Sequence, residues 1–323
     1  MKLPRRKFLH LAAGAAALPV VSRAASAQAY PTRPVRFIVP LAPGGGLDFI
    51  ARVIGEYLSH EIGQVYVENK PGAGGMIGVE TAAKSPPDGY SLLVFTDTVA
   101  SAPHVLRVNT DYVRDLVPII ELARQPVVLA VHPSFAVKSI PELIRAAKQK
   151  AGLGYATSGV GTQQHMVGEW FAKIAGIKLD HVPYRGGGQA VNDLIAGHIS
   201  IGFFGPTPLV PHYKSGNLYF LAQTTETRSL SLPEVPTFQE AGIKGLVLDQ
   251  WIGVFAPAGT PPAIVSRLNS EINKALANAA IRERLLQAVQ EPIGGSAEQF
   301  ARLVQKDSEM YARLAKELNI KAE

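Results

Sequence analysis

The chain of 323 residues has no cysteine, and this absence excludes several functions at once. A protein without thiols forms no disulfide, binds no metal through thiolates, uses no cysteine nucleophile and carries no lipid on an N-terminal cysteine. A long apolar run is also missing. Leu11–Val21 is too short to span a bilayer comfortably, and no second run of about 18 apolar residues follows it. The sequence therefore predicts no membrane anchor.

The first 27 residues instead have the pattern of an export signal. Arg5-Arg6-Lys7-Phe8-Leu9 resembles a twin-arginine motif, and Ala25-Ser26-Ala27 has the small residues of a cleavage site. The alternative, a frayed N-terminal helix, does not explain why every charge of this segment is positive. We predict that residues 1–27 are a cleaved signal peptide and that the mature protein is soluble in the periplasm. The arginine pair also suits the general export route, so the pathway stays open.

Without this leader, the chain has no excess of charge of either sign. The leader holds five of the 32 basic residues and none of the 26 acidic ones, which leaves 27 basic side chains against 26 acidic ones. The high isoelectric point thus describes the leader. A nearly neutral chain without lysine-rich runs has no electrostatic footprint for nucleic acid. We expect no nucleic-acid partner.

Motifs of catalysis and of cofactor binding are also scarce. The seven histidines beyond the leader never lie three or four residues apart, so the helical spacing of a zinc site is absent. There is no G-x-S-x-G elbow and no phosphate-binding P-loop. Lys70–Gly78 superficially resembles a dinucleotide fingerprint, but Ile77 stands where the third glycine belongs and Pro71 interrupts the approach. We predict that the protein is not an enzyme and holds neither a cofactor nor a metal.

Glycine-rich loops are what the sequence has in place of these motifs. Three times a β-type run ends in such a loop and leads directly into a helical pattern: at Pro40–Asp48, Ser158–Thr162 and Arg185–Gly188. Each loop would direct unpaired backbone N–H groups, with the positive end of the helix dipole, at whatever lies above the strand ends. The repetition of this device predicts a site for a small anion.

The first loop carries the three consecutive glycines Gly44, Gly45 and Gly46, which permit positive φ and a close backbone approach. Asp48 falls in the first turn of the helix that follows. We predict that the loop amides hold a carboxylate or its bound water and that Asp48 fixes the loop. The alternative is an ordinary tight turn, with Asp48 only a partner of the helix dipole.

The second and third loops add side chains to the amides. Ser158 and Thr162 bring hydroxyls, which suit a carboxylate oxygen or simply cap the helix. His165, one turn later, either contacts the ligand or packs under the loop. Arg185 offers a planar fork that matches a carboxylate, but it could equally be solvated or paired with Asp193.

From Val35 onward short β-branched runs alternate with helical patterns, which predicts mainly parallel sheets with helices on both faces. Two segments look suited to carry the chain between two lobes, Gln125–Pro133 and Leu248–Trp251. We therefore predict a first lobe of residues 28–129 plus 250–323, a second lobe of residues 130–249, and a ligand cleft between them. The expected strands are Val35–Val39, Val65–Glu68, Ser91–Phe95, Val127–Val131, Leu153–Thr157, Asp180–Val182, Ile199–Phe203, Tyr219–Thr224 and Trp251–Ala256. The expected helices are Leu47–His60, Gly75–Lys84, Ile140–Gln149, Gln164–Ala175, Gln189–Ala196, Pro262–Asn278, Ala280–Val289 and Ala297–Leu318.

Six motifs, spread in order over essentially the whole mature chain, give the sequence a family resemblance. It resembles the Bug family, the periplasmic solute receptors of tripartite tricarboxylate transporters. The motifs are Tyr30-Pro-Thr-Arg-Pro-Val-Arg36, Pro43-Gly-Gly-Gly-Leu-Asp48, Val67-Glu-Asn-Lys-Pro-Gly-Ala-Gly-Gly75, His181-Val-Pro-Tyr-Arg-Gly-Gly-Gly188, Leu232-Pro-Glu-Val-Pro-Thr-Phe-Gln-Glu-Ala-Gly242 and Phe255-Ala-Pro-Ala-Gly-Thr-Pro261.

The resemblance implies an α/β periplasmic-binding-protein fold of type II, a two-lobed Venus flytrap that closes on a small organic carboxylate, often through ordered waters. It also implies delivery to a membrane permease of one large and one small subunit. A monomer is the default expectation for a receptor that opens and closes. The family's ligand contacts fall on Pro43, Gly44, Gly45, Gly46 and Asp48, on Thr96 and Thr98, and on Ser158, Gly159, Thr162 and His165.

One position departs from the family pattern. After Gly197–Phe203 the family commonly places an acid that can hold an amino or hydroxyl group of the ligand, whereas this chain has Phe204. One hypothesis is that Phe204 faces a ligand with an apolar or aromatic body; the alternative is that it packs in the lobe core. A second functional hypothesis is a sensor that reports its closed state to a membrane signalling protein.

Overall fold

A computed structural model describes residues 30–106 and 111–320, and the residues from Arg33 onward form one compact unit. The predicted leader and its cleavage site lie outside the described residues. The described chain forms eleven strands: β1 Val35–Val39, β2 Val65–Asn69, β3 Ser91–Thr96, β4 Leu116–Pro126, β5 Val128–Val131, β6 Gly154–Thr157, β7 Asp180–Pro183, β8 Ile201–Phe204, β9 Tyr219–Gln223, β10 Asp249–Pro257 and β11 Glu291–Pro292.

Helices cover both faces of the sheets that these strands form. Short 3₁₀ turns at Ala73–Gly75, Ala102–His104 and Pro133–Phe135 connect some of them. The α-helices of the described residues are α1 Gly46–Glu61, α2 Met76–Ala83, α3 Thr98–Ser101, α4 Tyr112–Asp115, α5 Ile140–Gln149, α6 Gln163–Ala175, α7 Gly187–Ile195, α8 Val210–Lys214, α9 Pro262–Ala277, α10 Ala279–Gln287 and α11 Ala297–Leu318. None of them is long and apolar enough to cross a bilayer.

Two sheets give the molecule two lobes. The first lobe has the strand order β11-β4-β10-β3-β1-β2, and the second has β7-β6-β8-β5-β9. In the second lobe, separate apolar clusters cover the two faces of the sheet, one around Tyr155, Phe171 and Phe203, the other around Val128 and Phe204. Each lobe therefore buries strands and helices of its own, as the predicted two-lobed α/β fold requires.

The chain crosses between the lobes at two adjacent points. It leaves the first sheet after Pro126 and enters the second at Val128, and it returns between Gln223 and Asp249. The Val127 N–H donates to Thr224 Oγ1 at 2.9 Å, and the Thr224 N–H donates to the Val127 carbonyl at 3.1 Å. Paired crossings of this kind form a hinge. They lie beside the predicted lobe boundaries, which remain a prediction.

The expectation of mainly parallel sheets was wrong, because both sheets are mixed. β1 pairs in parallel with β2 and β3, and β6 pairs in parallel with β7 and β8, but the remaining pairs are antiparallel. The crossing strands explain the difference. β4 carries the chain out of the first lobe and β10 carries it back, so the two run in opposite directions along their full length.

Two helices begin at local N-terminal capping signals. α5 begins after Ser139, whose side chain caps the Glu142 N–H, and it has Pro141 in its first turn. α11 begins with a capping box between Ser296 and Gln299. Both helices have the predicted bounds. By contrast, β4 was not among the predicted strands.

Candidate ligand-binding site

A cavity of about 40 Å³ lies where the carboxyl ends of β1, β3, β6 and β8 meet the two crossing strands. Strand ends of this kind are the usual ligand position in open α/β sheets. Residues of both lobes line the cavity: Leu41, Ala42, Gly45, Gly46, Leu47, Asp48, Thr96, Gln125, Ser158, Gln164, Gly187, Val191, Phe204, Gly205, Pro208 and Gln250. All three glycine-rich loops contribute residues to the lining of this cavity.

The first glycine loop presents main-chain amides to the cavity. α1 begins at Gly46, and its N-cap, Gly45, supplies no side-chain cap. The amides of the first helical turn have no acceptor within the helix, and together they form the positive end of its dipole. Because Gly45 to Asp48 line the cavity, these donors lie beside it.

Asp48 holds this loop in place. Its Oδ2 accepts from the Gly44 N–H at 3.2 Å and from Arg52 Nε at 3.0 Å. Its Oδ1 accepts from Arg52 Nη2 at 2.9 Å and from Asn69 Nδ2 at 3.0 Å, and Asn69 also donates to the Leu41 carbonyl. Burial alone would raise the pKa of Asp48, but these hydrogen bonds outweigh it and lower the pKa. The carboxylate is fully engaged with the protein and fixes the loop.

The second loop reaches the cavity through Ser158 and Gln164. The Ser158 N–H donates to Gln164 Oε1 at 3.0 Å, so that amide is already paired. Thr162 is the N-cap of α6, accepting from the His165 N–H, and its hydroxyl donates to the Gly159 carbonyl at 2.7 Å. Thr162 and Gly159 therefore shape the loop from behind the cavity lining.

His165 lies under the second loop, in the position that the packing alternative predicts. It is 7% exposed, and its Nδ1 accepts from the Gly161 N–H at 3.3 Å. Its ring stacks on His181, with the two centroids 3.9 Å apart. Burial lowers the pKa of His165 to about 4, and burial with the neighbouring imidazole lowers the pKa of His181 to about 3. Both rings are neutral at pH 7 and support the loop by packing.

This pair should make the protein sensitive to acid. Below about pH 6.5 the unfolded chain binds a proton at His165, whereas the folded protein does not bind it until about pH 4. The free energy of unfolding therefore decreases as the pH is lowered from about 6.5 to about 4. From pH 7 to 5 the loss for this residue is about 2 kcal/mol. Urea unfolding of His165→Asn, which keeps an acceptor for Gly161, should lose correspondingly less than the wild type. The exposed His60→Asn should follow the wild type, and equal slopes for H165N and wild type would contradict the prediction.

The third loop supplies a second uncapped helix terminus. α7 begins at Gly187, its N-cap Gly186 has no side-chain bond, and Gly187 lines the cavity. Arg185 is exposed and does not line it. Asp193, its alternative partner, instead accepts from the Tyr184 hydroxyl at 2.7 Å. The loop therefore contributes its backbone, and the arginine lies outside.

Phe204 lies both in the core of the second lobe and at the wall of the cavity. The ring is 1% exposed and belongs to a core cluster of the second lobe, yet it also lines the cavity. Thr96 lines the cavity beside it, and its hydroxyl donates to Thr98 Oγ1 at 2.9 Å, so Thr98 lies behind Thr96. The acid that the family pattern suggests is thus replaced by an apolar wall.

Sequence reasoning missed the glutamines that complete the site. Gln125 on β4 and Gln250 on β10 are paired by a hydrogen bond of 2.7 Å, Nε2 to Oε1, and both line the cavity. Thr207 donates to Gln125 Oε1, and Gln290 donates to Thr207 and to the Gly46 carbonyl. The available signal was a polar residue inside each segment proposed to cross between the lobes.

The two lobes are in contact around the cavity. The Ser101 hydroxyl of the first lobe donates to the Gly161 carbonyl of the second at 2.7 Å. A methyl group placed on Gly188 would lie 2.8 Å from the Pro43 carbonyl oxygen, and one on Gly74 would lie 2.5 Å from the Val160 carbonyl oxygen. Glycines thus allow the loops of opposite lobes to meet backbone to backbone.

Of the predicted site residues, the cavity lining includes Gly45, Gly46, Asp48, Thr96, Ser158 and Phe204. The others lie around it, namely Pro43, Gly44, Thr98, Gly159, Thr162, His165 and Arg185. The lining contains no lysine or arginine, so an anion there would be held by amides, hydroxyls and dipoles. Within residues 30–106 and 111–320 no group of three or more His, Asp or Glu side chains could hold a metal.

Known proteins resemble the chain over most of its length. The model of the tripartite tricarboxylate transporter family receptor matches residues 50–320. A UPF0065 protein from the tcbD-tcbE intergenic region of Pseudomonas sp. strain P51 is 39% identical over 305 residues, which cover 93% of this chain and 91% of the relative.

Two solved structures share its fold. The periplasmic binding protein BugD has a TM-score of 0.87 at 31% identity, covering 91% of this chain and 100% of BugD. A protein of R. palustris solved with adipate has a TM-score of 0.87 at 33% identity, covering 90% of this chain and 99% of its own. The relatives are binding proteins and not enzymes, in agreement with the scarcity of catalytic motifs. The chain therefore belongs to the receptor family of the tripartite tricarboxylate transporters, the two-lobed periplasmic binding proteins of the Bug type.

Proposed function

We propose that this protein is a monomeric periplasmic receptor that closes its lobes on a small organic carboxylate. In this proposal it delivers the ligand to a membrane permease of one large and one small subunit. One observation carries the binding proposal. The uncapped first turns of α1 and α7, which belong to opposite lobes, open onto one cavity. Only a closed molecule brings both sets of amides to a single anion.

Magnitudes define what else the site must provide. Each helix terminus contributes about 0.3–1 kcal/mol, or up to about 2 kcal/mol when partly buried, whereas micromolar binding needs about 8 kcal/mol. Hydrogen bonds from the cavity side chains, direct or through water, and burial of the ligand's carbon atoms must supply the rest. The Ser158 hydroxyl is suited to the first task, and Phe204 and Val191 are suited to the second.

The lining favours an acid with an apolar body. The charged residue of the cavity lining, Asp48, is already bonded to Arg52, so no free carboxylate faces an amino group of a ligand. A cavity of about 40 Å³ has room for about three waters, and benzene needs a cavity of about 150 Å³. An acid with several carbons, aliphatic or aromatic, therefore needs a wider cavity than this arrangement of the lobes provides. The structural relative solved with adipate supports an aliphatic carboxylate.

The test is a melting-temperature screen of residues 28–323 against aliphatic mono- and dicarboxylates, benzoates, aspartate and glutamate, followed by calorimetry. A ligand at 100 times its Kd stabilises the fold by about 2.7 kcal/mol, a shift of roughly 5 °C at this size. The uncharged amide of the best acid is the control and should give no shift. If no acid raises the melting temperature, carboxylate binding is refuted. If aspartate or glutamate binds most tightly, the apolar body is refuted.

A further inference from the structure

The C-terminal helix α11 connects the two lobes behind the cavity. It packs on β4 of the first lobe and also on α6 of the second. Tyr311 of α11 is fully buried at this junction. Its hydroxyl donates to Asp97 Oδ2 and accepts a hydrogen bond of 3.1 Å from Gln163 Nε2. One phenol thus bridges a carboxyl group of the first lobe and an amide of the second.

Both partners lie next to the ligand site along the chain. Asp97 directly follows Thr96, which lines the cavity, and Gln163 is the first residue of α6, directly before Gln164, which lines it from the other lobe. All three bridging side chains have zero exposure. Asp97 Oδ1 and Gln163 Oε1 have no hydrogen-bond partner among the described residues, and the Tyr311 hydroxyl bonds to the other polar atom of each side chain.

We propose that Tyr311 is a positioning residue for ligand binding, a clasp that favours the closed arrangement of the lobes without touching the ligand. The inference rests on the proposed function. When the lobes separate, Tyr311 and Asp97 stay together in the first lobe, and Gln163 moves into water. When the lobes close, Gln163 is buried and needs the phenol, because an unpaired buried amide is unfavourable.

A second contact between α6 and α11 is of a different kind. Lys173 Nζ lies 3.1 Å from Glu317 Oε1, with side chains 48% and 63% exposed. Exposed pairs of this type contribute little, because water and salt screen them. The buried bridge through Tyr311 is therefore the contact through which α11 would bias closure.

The test is Tyr311→Phe, which removes only the hydroxyl. Its loss leaves Gln163 unpaired in the closed state alone, so we expect the affinity for the best carboxylate of the screen to fall about tenfold, or about 1.4 kcal/mol. Tyr184→Phe is the matched control, because its hydroxyl bonds to Asp193 within one lobe. Y184F should bind as the wild type does. In a double-mutant cycle, Gln163→Leu removes the amide that needs the phenol, so adding it to Y311F should restore binding towards the wild-type affinity.

Closure can be measured directly, because the chain has no cysteine to interfere with labelling. Spin labels on Ile77→Cys and Val182→Cys sit at exposed positions of opposite lobes. With ligand, Y311F should show a larger fraction of open distances than the wild type. If Y311F and the wild type have the same affinity and the same distance distribution, the proposed clasp is overturned. The same holds if Y311F is less stable to unfolding but its affinity and its distance distribution are unchanged.

This readout separates the two proposals. If the wild type binds no acid at all, the proposed function fails, and the label distances without ligand then decide the clasp. A shift of Y311F towards open distances supports it, and a distribution identical to that of the wild type overturns it.

Discussion

Replacing Gly188 by alanine should strongly weaken ligand binding while leaving both lobes folded. The added methyl would lie 2.8 Å from the Pro43 carbonyl oxygen of the opposite lobe, a backbone atom that cannot rotate away. Gly188 lies within α7, outside the left-handed region, so its own backbone accepts alanine. The lobes therefore have to stay apart. Calorimetry should find affinity reduced at least about 100-fold, or about 2.7 kcal/mol.

The stability of G188A without ligand should not decrease, in contrast to its affinity. Alanine in a helix is favoured over glycine by roughly 0.5–1 kcal/mol, so the melting temperature without ligand should stay level or rise. Gly55→Ala in α1 is the control, because its methyl would make an ordinary contact, 3.5 Å from Val65 Cγ1, within one lobe. G55A should bind normally. Wild-type affinity in G188A would mean that the Pro43 and Gly188 loops need not meet for binding.

Why Gly188 matters could not be deduced from the sequence, although its loop was recognised. The glycine loops were predictable because each is a local pattern: a strand, two or three glycines and a helix start. The contact between Gly188 and Pro43 depends on how two lobes meet, which involves residues far apart along the chain. Sequence reasoning therefore identified the loops that form the site but not the partner of each glycine.

β4 illustrates the same limit in the fold. Leu116–Pro126 has prolines at both ends of its pattern and polar residues between them, so it has neither the alternation nor the continuous apolar run of a typical strand. It forms a strand because it pairs with β10 along its length, with irregular register at two points. Glu121 tolerates burial because Arg124 bonds to both of its oxygens. These partners are tertiary, and the buried Gln125 of the site was missed with the strand.

Asp48 is the position where the sequence predicted a role and the structure supplies a mechanism with a large expected effect. Its two carboxylate oxygens accept four N–H groups, two each. In Asp48→Asn the amide nitrogen would face two of these donors in either orientation. Losing charge-assisted bonds at a buried group should cost about 3 kcal/mol in the free energy of unfolding at pH 7, measured by urea titration.

The D48N substitution should also reduce the affinity for the ligand, because the Asp48 carboxylate positions Gly44 and the amides that follow it. We expect D48N to bind the best acid of the screen about tenfold to 100-fold more weakly, even at temperatures where it is fully folded. Asp88→Asn is the control, since Asp88 pairs with Arg33 at an exposed surface site where such pairs contribute little.

The acid dependence gives the Asp48 prediction its sharpest check. The pKa of Asp48 is lowered in the folded protein, so its stabilisation is complete above the unfolded value near 3.9 and is lost as pH falls through the folded one. The stability difference between wild type and D48N should therefore stay constant from pH 7 to 5 and shrink only in stronger acid. A difference that already declines between pH 7 and 5 would assign the effect to another group, and unchanged stability would mean that Asp48 does not hold the loop.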